Sequence, residues 1–152
     1  VFKADDTQGQ NRHKGYVRAL QEAGMPYDPD MVVWFYTEDR KIHPYEGIQN
    51  IAKNKELDAV VCYNDQNAMG VIRALEALDL KIPDDVSVTG YDNFYMANQS
   101  DFRLTSIAHP QEKLGEMAAE LLLDLVVNGE NSEKQKIMIE PELVEGTSCK
   151  RR

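Results

Sequence analysis

A chain of 152 residues with 42% apolar side chains can bury one real core, and its longest apolar runs stop far short of the roughly 20 residues of a membrane span. Its net charge of −9 repels DNA phosphates, and the only basic run, Lys150-Arg151-Arg152, is too short to serve as a nucleic-acid footprint. Two cysteines exclude a disulfide scaffold, three scattered histidines give no zinc spacing, and no phosphate-loop, dinucleotide or nucleophile-elbow motif occurs, so a non-enzymatic domain without metal or cofactor is expected.

Val1-Phe2 reads as the end of a strand, as if the chain began inside one, and no signal-peptide pattern is visible in the sequence. Residues 3–10 read as a polar loop. Tyr16, Val17 and Leu20 recur at helical spacing and predict a helix over 11–23, stopped by Gly24. Met25-Pro26-Tyr27-Asp28-Pro29 is turn-like. Residues 31–36 are continuously apolar, the mark of a strand buried on both faces, and 37–41 leave it as a loop. Tyr45, Ile48, Ile51 and Ala52 mark a helix over 44–54. Residues 59–63 are a short, partly β-branched strand, with Cys62 as a buried, inert thiol of the kind a cytoplasmic protein keeps reduced. Asn64 or Asp65 caps a helix that starts with Gln66 and turns Ala68, Ile72, Leu75 and Leu78 to one face. Residues 81–85 break it, and 86–89 form the next strand, ending in Gly90-Tyr91-Asp92-Asn93. Residues 94–102 are a loop or short helical turn, and 104–108 a strand. Pro110 opens a helix to about residue 127, striped by Leu114, Met117, Ala118, Leu121, Leu122 and Leu125. Two short strands, 136–140 and 143–145, close the chain.

Strands that alternate with helices predict an α/β fold with a doubly wound parallel sheet. The segment 59–89 is its βαβ unit, two parallel strands joined by a right-handed crossover. Ligands of such sheets bind beyond the carboxyl ends of the strands. Polar residues stand at those ends: Asn64-Asp65 after one strand and Asp92-Asn93 after the next. A small polar ligand needs groups that donate and accept hydrogen bonds in fixed geometry. Arg12 offers a planar fork of donors, Asp92 accepts from two neighbouring hydroxyls, Asn64 does both, and His109 does either. All four fall at strand ends or the adjoining loop-helix junction. Gln8 and Glu38, with Asp6 and Tyr36, lie in loops bordering the same edge.

YNDQNAMG at 63–70, IPDDVSVTGYDN at 82–93, and LTSIAHP at 104–110 followed by LGEMAAELLL resemble the effector-binding domain of the lactose/galactose-repressor family. FKADDTQG and NRHKGY near the start are closer still to arabinose repressors, which join this sensor to a winged helix of the gluconate-repressor type. The resemblance implies a periplasmic-binding-protein-like fold of type I, in which two lobes face each other across a cleft. It implies that residues 1–110 and 137–149 are the C-terminal lobe, and that helix 111–127 belongs to a first lobe mostly outside this chain. The DNA-binding domain is then outside it too. The motif positions that bind effector in that family fall here on Arg12, Asn64, Asp92 and His109. Many relatives have Gln at the last position, so His109 is a departure.

Each candidate has a plainer reading beside it. Arg12 can be a surface helix residue, Asn64 merely a helix cap, Asp92 a turn residue, and His109 a satisfied loop histidine. Asp65 reads as the structural member of the Asn-Asp pair, Trp34 as core, and His13 and His43 as surface. Together these readings lead to the sugar-sensing domain of a cytoplasmic bacterial repressor. It would bind L-arabinose, act as a homodimer and release operator DNA held by a domain outside this chain. The alternatives are a periplasmic sugar receptor feeding a transporter and a sugar-processing enzyme.

Overall fold

A computed structural model of the chain describes residues 1–94, 102–129 and 135–150. In order, its elements are β1 (Phe2–Lys3), α1 (Thr7–Glu22), a 3-10 turn (Pro29–Met31), β2 (Trp34–Phe35), α2 (His43–Asn54), β3 (Ala59–Val61), α3 (Asp65–Glu76), β4 (Ser87–Asp92), β5 (Thr105–Ala108), α4 (Gln111–Asn128) and β6 (Glu142–Val144). β1 and β2 pair in parallel, and β3, β4 and β5 form a parallel ladder with β6 antiparallel on its edge. The Val1 nitrogen donates to the Val61 carbonyl at 2.7 Å, which brings β1 beside β3.

The β3-α3-β4 unit folds as its pattern demands. Val60 and Val88 point inward from the strands, and Ala68, Val71, Ile72 and Leu75 of α3 cover them, all buried. Ile48 and Ile51 extend this core from α2, and Phe35 and Leu104 complete it. Cys62 lies inside it, where burial pushes the thiol up to about 12, so the inert reading of this cysteine stands. Below the β4–β5 pairing, residues 147–148 wedge between the strands. Ser148 Oγ donates to the Val88 carbonyl at 2.6 Å and accepts from Thr105 N at 2.8 Å.

Four expectations shift. The first helix starts at Thr7 rather than at 11, because the Asp6 carboxylate accepts from Gly9 N at 2.6 Å and caps it, so Gln8 is helical and not in a loop. Gly9 is forced there: a Cβ would collide with the Lys3 carbonyl. The apolar run 31–36 yields only the two-residue strand β2, because Asp28 caps a 3-10 turn that takes in Met31 and β1 offers only two partners. Asn64 is the cap of α3, so Asp65 is its first residue. The strand expected over 136–140 does not form; β6 occupies the edge of β5, and Met138 is left 80% exposed with no ladder to join. Residues 95–101 and 130–134 lie outside the described residues, and with them most of the loops expected there.

Candidate ligand-binding site

The carboxyl ends of β3 and β4 and the second turn of α1 converge on one cluster. Arg12 donates to the Tyr63 carbonyl just after β3. Its guanidinium lies between two aromatic faces, 3.7 Å from the Tyr91 ring centroid and 4.5 Å from that of Tyr63. Cation–π contact of this kind fixes a long side chain without consuming its edge donors. The Tyr63 hydroxyl in turn donates to Asp6 at 2.9 Å, tying the cap of α1 to the same assembly.

Asn64 Oδ1 accepts from Asn67 N at 2.9 Å, so the residue does cap α3. Capping uses only that oxygen and not the amide hydrogens, so capping and ligand contact are compatible. Asp92 ends β4 with φ at 102°, a conformation side chains rarely adopt. Burial raises its carboxyl above the usual carboxylate range, and Arg12 opposes that by favouring the charged form. His109 follows β5 and is exposed, its ring 6.5 Å from Tyr91. A cleft of about 480 Å³ opens over this edge, lined by Asn64, Asp92, Met69, Arg73 and Phe94 among others.

Arg12, Asn64 and Asp92 are thus brought to one sheet edge, with His109 at its margin. Gln8 is exposed on the first turn of α1 and Glu38 is exposed after β2; no side-chain bond ties either to the cluster among the described residues. Trp34 belongs with Phe2 and His13 in an aromatic group behind α1, with 4.7 Å between the His13 and Trp34 rings. Sequence reasoning missed Tyr63 and Tyr91. The available signal was an aromatic immediately before each strand-end polar residue. It also missed Ser106, whose role only the neighbouring strand reveals. What the cluster offers is a pre-aligned donor fork, an amide and a carboxylate beside aromatic carbon, which matches a small polyhydroxylated ligand. Among the described residues no group of three His, Cys, Asp or Glu is placed to hold a metal, and no helix is long and apolar enough to cross a membrane.

The periplasmic binding protein-like domain family matches residues 1–149. The arabinose metabolism transcriptional repressor of Halalkalibacterium halodurans is 32% identical over 150 residues, which cover 95% of this chain and 40% of that protein. The HTH-type transcriptional repressor PurR of Photorhabdus laumondii is 38% identical over 141 residues, covering 92% of this chain and 40% of the repressor. A LacI-family transcriptional regulator from Enterococcus faecium, solved with bound ribose, matches with a TM-score of 0.74 at 30% identity, over 91% of this chain and 50% of the other. The chain therefore spans about 40% of the length of the curated relatives it matches. All three are named as regulators and none as an enzyme.

Proposed function

The chain belongs to the periplasmic binding protein-like domain family and has the build of a LacI-family effector domain, and from that premise we propose that it supplies one wall of a sugar-binding cleft in a bacterial transcriptional repressor. The observation that carries this is the convergence of Arg12, Asn64 and Asp92 beyond the carboxyl ends of β3 and β4, beside the Tyr63 and Tyr91 rings. L-arabinose is our choice of effector, supported by the relative named as an arabinose metabolism repressor, while the relative named PurR is the reason to test purine bases beside it. Arg12 and the Asn64 amide donate to its hydroxyls, Asp92 accepts from a neighbouring pair, and the His109 ring closes the margin. Gln8 and Glu38 are outer candidates, both exposed and unbonded to the cluster among the described residues.

In this reading, residues 1–110 and 137–149 form the C-terminal lobe, and α4 packs against a first lobe that lies outside this chain. Sugar bound between the lobes biases their closure and changes how a homodimer presents its DNA-binding heads. Sugar and operator affinities then oppose each other by the same factor, because they are linked through one equilibrium. The repressor works in the cytoplasm, where its DNA lies.

Calorimetry of the full-length protein with L-arabinose, other pentoses, hexoses and purine bases tests the assignment. Tightest binding to L-arabinose is expected. Asp92→Ala is expected to weaken it about tenfold to a hundredfold, the loss of a charged hydrogen bond worth roughly 1.5–3 kcal/mol. Equal affinity in the variant overturns the site, and preference for a purine base overturns the sugar.

A further inference from the structure

An aspartate at the first position of a helix ordinarily faces solvent, where the helix dipole favours its charge. Asp65 does not: it is 1% exposed, sunk beneath β4 and β5. A carboxylate is tolerated there only if its lone pairs are filled. Two groups hold its oxygens. Phe94 N donates to Oδ2 at 2.6 Å, and the Ser106 hydroxyl donates to Oδ1 at 2.6 Å. Ser106 Oγ, so oriented, accepts from Asn93 N at 3.1 Å.

Tyr91, Asn93 and Phe94 surround Asp92. The Phe94 N–H ends on Asp65 directly and the Asn93 N–H ends on it through Ser106. Asp92 itself holds φ at 102°, which side chains rarely adopt, and Asn93 follows at 51°, in the left-handed region that Asn tolerates. Gly90 lets the carboxylate reach this place, since a Cβ there would collide with Asp65 Oδ1 and stand 2.7 Å from Leu104 Cδ2. We propose that Asp65, with Ser106, is a positioning residue that clamps the end of β4 and so aims the Asp92 carboxylate into the cleft. This rests on the reading of Asp92 as a ligand contact. A merely structural Asp65 would serve α3 and the core and would have no special bearing on Asp92.

The experiment uses the full-length protein with Ser106→Ala and Asp65→Asn. Ser106→Ala removes the acceptor of Asn93 N and one donor to Asp65. Asp65→Asn still fits: its Oδ1 can accept from Phe94 N while its amide donates to Ser106 Oγ. In sugar-free protein, hydrogen–deuterium exchange at the Asn93 and Phe94 amides is expected to speed up by about tenfold in Ser106→Ala and less in Asp65→Asn, with amides of α3 unchanged. Calorimetry is expected to show L-arabinose affinity falling about tenfold in Ser106→Ala, and no further loss when Ser106→Ala is added to Asp92→Ala, because both act at one group. Unchanged exchange at Asn93 and Phe94 overturns the clamp. An equal loss of affinity in both backgrounds overturns the action through Asp92. If the wild type binds no L-arabinose, the sugar reading fails by itself and the exchange rates still decide for or against the clamp.

Discussion

At φ 102° and partly buried, Asp92 carries two costs at once: a strained backbone and a carboxylate short of water. A site that must hold a charge ready for a ligand accepts such costs, and relieving them trades function for stability. Asp92→Asn is therefore expected to raise the melting temperature near neutral pH by about 1–4 °C while weakening sugar binding. Burial raises the carboxyl above its ordinary 3.8 in the folded state, so the folded protein holds that proton more tightly than the unfolded chain. The stability this lends is complete below about 3.8 and is lost as pH rises through the raised value. The advantage of Asn over Asp should thus be smallest in acid and widen toward neutrality. Scanning calorimetry of both proteins across that range is the check, and a gap that narrows as pH rises would count against burial as the main cause.

Among the elements, α4 stands apart. None of its residues is buried, and Leu122, Leu123, Val126 and Val127 are each more than 60% exposed. Its stripe reads from the sequence as apolar, and no element among the described residues buries it. An apolar surface of that kind drives association. The isolated chain is expected to self-associate, and Leu122→Glu with Val126→Glu to return it to monomer without lowering its melting temperature. Sedimentation of the two forms measures this. A strictly monomeric wild-type chain would mean that α4 finds cover within residues 1–152.

At the scale of the whole molecule, charge and coverage govern what the chain can do alone. A net charge of −9 without a basic face leaves no counterion release to drive DNA binding. Mobility-shift experiments at low salt are expected to show no complex with operator or random DNA, and a salt-sensitive shift would refute this. A pocket buries roughly 70–90% of a small ligand, and on the one-lobe reading proposed above this chain supplies one wall of it. The isolated chain is accordingly expected to bind L-arabinose far more weakly than the full-length protein, and micromolar affinity by calorimetry would show that the cleft is complete here.

Periodicity in the sequence by itself determined the β3-α3-β4 unit, the helices α2 and α4, and the identity of the polar residues at the strand ends. These are local facts: apolar spacing of 3.6 or 2 residues, and caps such as Asn64, act within a few positions. Where the chain pattern was ambiguous, neighbours decided. Residues 31–36 and 136–140 look like strands, yet a strand exists only where a partner offers its edge, and β1 and β5 offered little or none. The burial of Asp65, the sandwich of Arg12 between Tyr63 and Tyr91, and the link from Ser106 to Asn93 join residues 13 to 79 positions apart. No local signal encodes such contacts. They arise when parallel strands bring distant segments to one edge, which is why only the tertiary structure could show what holds Asp92 in place.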